Sequence, residues 1–302
     1  MQPDEDFERF TYPPFDPTAD LSHIVTNTKG RRASTRKRNA NTKEVRAFLE
    51  AALELTSELF APSPAARQLR DEDEDGRPTM SYLSRRKVVD RAQKMFPELV
   101  LTESIMRNRW DFQPDFLADF ISYALTERHW SLQIALSESS AALLTGGRDF
   151  SGSVHRVAYE DLKLVLELPA YRFQLLAVAS AQADSASAAA LSRMYEHLSK
   201  TWTDLYAKVF NHYGLSFRPG ITLQDFNIIL QSTAEGLGMR LLSGVNEKIL
   251  DDERRTSLLG TAALALFLGL VDLGDGLSLE QTVDTLLGSI SNDGSSPGSP
   301  AP

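Results

Sequence analysis

Thr102-Glu103-Ser104-Ile105-Met106-Arg107-Asn108-Arg109-Trp110-Asp111-Phe112-Gln113-Pro114-Asp115-Phe116-Leu117 is the stretch on which the reading of this chain turns. A helix opening near Thr102 would turn Ile105, Met106 and Trp110 inward at helical spacing. The same helix would show Thr102, Ser104, Arg107 and Arg109 to solvent. Hydroxyl and guanidinium donors are the groups that reach base edges and phosphates. An ordinary solvated helix can carry the same residues, so the neighbouring segments carry the decision. Pro114, tolerated in a first turn, then opens a longer helix through Phe116, Leu117, Phe120, Ile121 and Ala124.

Upstream, a helix begins near Thr42 with Val45, Phe48, Leu49, Ala52, Leu55 and Leu59 at 3.6-residue spacing, and Pro62 and Pro64 end it. Another, capped by Thr79 or Ser81, carries Leu83, Val88, Val89, Ala92 and Met95 and stops at Pro97. A tight Pro97-Glu98-Leu99 break then precedes Thr102. Three short helices with such a break fit a helix-turn-helix, in which one helix braces another that enters the major groove.

Charge is sorted along the chain. Residues 29–46 hold eight basic side chains against one acid, Glu44, a net of +7 in a chain whose total is −9. Arg31, Arg32, Arg36, Lys37 and Arg38 form the heart of this arm and suit phosphate neutralisation with counterion release. The span 85–109 adds seven basic residues against three acids. Together these features favour double-stranded DNA as the partner. The Pro-rich, acidic start and the arm (1–41) read as disordered. The acidic, Pro-containing insertion at 61–80 reads as an exposed loop, and 291–302 as an unstructured Ser/Pro/Gly tail.

The second half shows helical patterns near 153–167, 169–182, 186–213, 222–242, 253–272 and 278–290, with no strand-like alternation. The fold class is therefore all-α: a small helix-turn-helix domain (42–113) followed by a larger helical domain (114–290). Trp130, Tyr159, Tyr171, Tyr195, Trp202 and Tyr206 are the aromatic candidates for an effector pocket, although aromatic residues at such spacing also build cores. Leu258, Leu259, Ala262, Leu266 and Phe267, with nearby small residues, are candidates for a homodimer interface.

Other classes find little support. The chain has no cysteine, which removes disulfides, thiolate ligands and a cysteine nucleophile and suits a cytoplasmic setting. No basic-then-apolar order marks a secretory leader, and the uncharged run 256–271 falls short of the roughly 20 residues a membrane span needs. No phosphate loop, zinc-binding His-Glu pattern or nucleophile elbow appears, so neither catalysis nor a metal or other cofactor is expected.

The segment 102–117 resembles the recognition-helix region of regulators of the tetracycline-repressor (TetR) type. The segment Phe48-Leu49-Glu50-Ala51-Ala52-Leu53-Glu54-Leu55 is similar to that family's first helix. Thr222-Leu223-Gln224-Asp225-Phe226 with Ala234-Glu235-Gly236-Leu237 looks like its late ligand-domain helix. The order of these pieces, spanning 42–290, carries the resemblance more than any one of them. It implies a DNA-binding dimer, a repressor in the usual case, whose C-terminal helices hold a small-molecule effector. The 61–80 insertion and Pro114 depart from the family pattern. They leave open a second reading: a repressor-shaped helical module that binds protein and does not read DNA.

Overall fold

The computed structural model describes residues 16–60, 83–181, 185–244 and 248–293. The first fifteen residues, the acidic insertion at 61–80 and the tail beyond 293 lie outside them.

The chain is mostly helical: α1 (Ala33–Ala40), α2 (Lys43–Phe60), α3 (Arg85–Met95), α4 (Glu103–Arg109), α5 (Gln113–Ala124), α6 (Glu127–Gly146), α7 (Phe150–Glu167), α8 (Pro169–Ser180), α9 (Ser185–Tyr213), α10 (Leu223–Leu242), α11 (Leu258–Leu270) and α12 (Leu279–Asp293). Among the described residues the exceptions are a two-residue antiparallel pair, β1 (Leu250–Asp251) and β2 (Thr256–Ser257), and an isolated antiparallel bridge between Phe217 and Val271. Local chemistry sets many of the ends. Ser84, Thr102, Thr222 and Ser257 each accept a hydrogen bond from an amide three residues on, while Pro169 stands in the first turn of α8.

Two compact units divide the chain: Met1–Gln133 with Leu164–Leu198, and Ile134–Lys163 with Ser199–Pro302. The first unit therefore continues past residue 113 and includes α5. Its core is a run of aromatic rings. Phe48 meets Trp110 at 6.4 Å, Trp110 meets Phe116 at 5.1 Å, and Phe120 meets Phe173 edge-on at 5.1 Å. All five rings are almost completely buried.

The start of the chain corrects the expectation of disorder across 1–41. From residue 16 onward it is an ordered strap. Leu21, Ile24 and Val25 are buried, because their i, i+3, i+4 spacing gives even this short turn one apolar face. The strap then leads into α1, so the basic arm is a helix as well. α2 explains why the strap is needed. Every residue from Val45 to Ala52 is buried, so the helix is covered on all sides and not only along its apolar stripe.

The second unit has two clusters. Leu162, Phe226, Leu230, Ile249, Leu259 and Leu270 form one, and Leu144, Val157, Trp202, Leu205 and Val209 the other. Arg218, 3% exposed, ties α11 to the following loop by donating to Gly269 O (3.0 Å), Leu277 O (3.1 Å) and Asp275 Oδ1 (2.8 Å). The pattern read as a helix from 253 is instead the β1–β2 hairpin. Its loop Asp252–Arg255 needs Arg255 at φ 51°, a left-handed conformation no helix accepts, and α11 starts only after Ser257 caps it. Among the described residues no helix is long and apolar enough to cross a membrane.

Candidate nucleic-acid interface

α3 and α4 pack on α2, with the break between them closed by one side chain. Gln93 Nε2 donates to Leu99 O (2.9 Å) and its Oε1 accepts from Leu101 N (2.9 Å). Met106 and Trp110 enter the core as their spacing implies, which leaves Thr102, Ser104, Arg107 and Asn108 on the outer face of α4. Arg107 is 59% exposed and pairs with Glu103 one turn back at 3.1 Å, an interaction that bulk water weakens. Thr102 is exposed, but its hydroxyl oxygen is engaged as the helix cap, accepting from Ile105 N at 3.3 Å.

Arg109 is not a base-reading candidate. Its guanidinium turns back to Asn39 Oδ1 (3.3 Å) and Glu44 Oε2 (3.4 Å), and its carbonyl accepts from Lys29 N (2.7 Å). The cause is position: Arg109 is the last residue of a seven-residue helix, so it faces the chain packed against that end. Lys29 Nζ continues the joint to Asp111 at 2.6 Å, and Asn39 Nδ2 donates to Lys29 O at 2.6 Å.

This joint fixes α1 beside α4. Arg31, Arg32, Lys37 and Arg38 are exposed there, while Arg36 is half-buried and donates to Gly30 O at 3.0 Å. Lys37 reaches Asp20 at 3.4 Å across solvent. Arg46, counted with the arm by charge alone, is only 5% exposed and donates through Nη2 to Ala19 O and to Asn41 Oδ1 (3.0 Å). The outward charge of the arm is smaller than its composition suggests.

Beneath this surface lies Asp119, which sequence reading passed over. It is fully buried and accepts from Thr26 N (2.8 Å), Asn27 N (3.0 Å), Asn27 Nδ2 (3.0 Å) and Trp110 Nε1 (2.8 Å). Burial pushes its carboxyl up to about 6 against the pull of these donors. The signal was available: Asp119 interrupts the apolar face set by Phe116, Phe120 and Tyr123, and an acid there must be satisfied from inside.

The aromatic candidates divide between the two units. Trp130, Tyr171 and Tyr195 belong to the first unit, and Tyr159, Trp202 and Tyr206 to the second. Tyr195 OH accepts from Gln174 at 2.9 Å, Tyr159 OH bonds to Asp252, and Trp202 stacks on Tyr206 at 6.1 Å. Trp130 alone of the six lines the cavity of about 690 Å³ in the first unit.

The association candidates also divide. Leu259 is buried in the core of the second unit, Leu266 packs against that core, and Phe267 contacts Phe150 and Phe210. Ala262 is half-buried. Leu258 remains outward, and the exposed positions of α11 are Leu258, Thr261, Ala265 and Leu268, a stripe at heptad-like spacing that sequence reading did not isolate.

No family model, no curated protein and no solved structure matches this chain. Among the described residues no group of three His, Asp or Glu side chains could hold a metal ion.

Proposed function

We propose that the first unit binds duplex DNA and that the chain is a transcriptional regulator of the tetracycline-repressor type, acting as a dimer. The observation that carries the reading is the Lys29–Arg109 joint with its Asn39 and Glu44 contacts. Through it, the exposed cations of α1 and of the two residues before it join the outer face of α4 in one ordered surface. Arg31, Arg32 and Arg38 suit phosphates, while Ser104, Arg107 and Asn108 suit base edges. A helix of α4's width fits the major groove. The outward stripe of α11, with Leu258 47% and Leu268 62% exposed, supports association with a second copy, which would present two such surfaces to two half-sites.

Selection of genomic fragments by the purified chain, followed by anisotropy titration across salt, tests the reading. Arg31→Ala with Arg32→Ala should weaken binding to all duplexes and flatten the salt dependence. Arg107→Ala should relax sequence preference by about 1–3 kcal/mol. A folded protein that enriches no fragment at moderate salt would remove DNA from the proposal and leave the protein-binding module as its successor.

A further inference from the structure

Phe112 breaks two rules of its own position. It is the N-cap of α5, a place where Ser, Thr, Asp or Asn usually stands to accept from the first free amides, and no side-chain cap bond forms there. Nor is the ring stored in the core. It is 68% exposed, the one Phe, Tyr or Trp side chain more than half exposed among the described residues. Neither capping nor burial accounts for a phenylalanine here. A residue that stabilises neither its helix nor the core marks a functional position.

The backbone beneath the ring is firmly held. Phe112 N donates to Asp115 Oδ2 (3.2 Å), Gln113 Nε2 to Leu83 O (2.7 Å) and Arg85 Nη2 to Asp111 O (3.1 Å). Lys29 Nζ meets the Asp111 carboxylate at 2.6 Å, and the Lys29 amide ends on Arg109 at the last turn of α4. The ring thus stands where the end of α4, the approach to α1 and the start of α3 meet. Its turn needs no ordering on contact with a partner.

The neighbours of Phe112 indicate what it touches. They are ionic: Lys29 and Arg85, with the Asp111 carboxylate already neutralised by Lys29 and that of Asp115 engaged on the Phe112 amide. A protein interface would surround a central aromatic ring with apolar groups, whereas these cations suit a polyanion. With α4 in the major groove, the apolar group that carries sequence there is the 5-methyl of thymine. Wedging between bases belongs to minor-groove binding.

We propose that Phe112 reads thymine, its ring packing on the 5-methyl group of one thymine in each half-site beside α4. This contact rests on the DNA reading and adds an apolar base contact to the hydrogen-bonding set of Ser104, Arg107 and Asn108.

The test uses the full chain and the most enriched duplex of the genomic selection, remade with deoxyuridine for one thymidine at a time. Uracil pairs as thymine does and lacks only the methyl. One position per half-site should lose about fourfold in affinity, the change that corresponds to one buried methyl group. Phe112→Ala should bind the unmodified duplex no more tightly than wild type binds the uracil duplex, and should not distinguish the two. Phe112→Leu, still apolar, should keep a preference of about twofold. Phe112→Ser, which restores a capping hydroxyl, should raise Tm by about 2–4 °C while abolishing the preference.

A bound duplex indifferent to every thymine methyl would overturn the proposal and leave the DNA reading standing. So would a methyl effect that persists in folded Phe112→Ala, or a lower Tm for Phe112→Ser, which would show that the ring serves the fold. A folded chain that binds no duplex would remove both readings.

Discussion

Lys29 donates its main-chain amide to the carbonyl of Arg109 at 2.7 Å, although the two residues are 80 positions apart. That bond ends the strap and ends α4 at the same point. The guanidinium of Arg109 then holds Asn39 and Glu44, so three segments depend on one side chain.

Arg109→Ala should therefore loosen α1 without touching its cations. Faster amide exchange across residues 29–40 is expected, with a stability loss of about 1 kcal/mol, small because the Arg109–Glu44 pair is partly exposed. Arg107→Ala should leave exchange in that segment unchanged. Equal exchange in the two variants would mean that Arg109 does not secure the arm.

Asp119→Ala would take the acceptor from four donors, the buried Trp110 indole and three part-buried groups of Thr26 and Asn27. A loss of about 3 kcal/mol in urea unfolding is expected, with new protease sensitivity in residues 16–28. Asp119→Asn should lose less, since its amide oxygen still accepts. If Asp119→Ala unfolds at the wild-type midpoint, the carboxylate does not hold the strap.

His129 and Asp119 give opposing pH dependences. Burial first, then the nearby Arg128 charge, pushes the His129 imidazole down to about 3. Below pH 6.5 the unfolded chain takes a proton that the folded chain refuses. Stability from this group is complete above 6.5 and falls with pH by about 1.4 kcal/mol per unit until about 3. Asp119, raised from 3.8 to about 6, does the reverse: its contribution is complete below 3.8 and is lost as pH rises through 6. Urea unfolding between pH 4 and 6 should show a steeper acid loss in Asp119→Asn than in wild type. A parallel profile for the two proteins would count against the assignment.

In the second unit Gly260 cannot take a side chain. A Cβ there would lie 2.4 Å from His155 Nδ1 and 2.9 Å from His155 Cα, and the backbone atom cannot swing aside. Gly260→Ala should destabilise by about 1–3 kcal/mol. Gly236→Ala, with nothing within 4 Å, should be neutral or stabilising by up to about 1 kcal/mol. Thermal unfolding of the two variants separates a tight approach from a merely helical glycine.

Association is tested at the outward stripe. Leu268→Glu should shift the protein toward monomer in sedimentation without unfolding it, because Leu268 is 62% exposed. A wild-type chain that sediments as a monomer at high concentration would end the dimer proposal.

The helical class and most helix limits could be read from the residues, because apolar spacing and punctuation agree there. Pro169 opens α8, and Thr222 with Asp225 locks the start of α10 by reciprocal hydrogen bonds. The strap and arm could not. Leu21, Ile24 and Val25 are too few for a periodic signal, and their anchor, Asp119, lies some 90 positions away. For Arg46 the composition misled. In a list of charges it belongs with the arm, but on a helix covered all round it must face inward. The cavity was illegible for the same reason, since the strap supplies part of its wall.

The ordered arm has a thermodynamic corollary. Cations on a loose tail surrender their freedom when a polyanion arrives, whereas those of α1 have already done so during folding. Encounter with a polyphosphate should then resemble rigid docking, with a modest heat-capacity change and none of the large negative value that accompanies folding on contact.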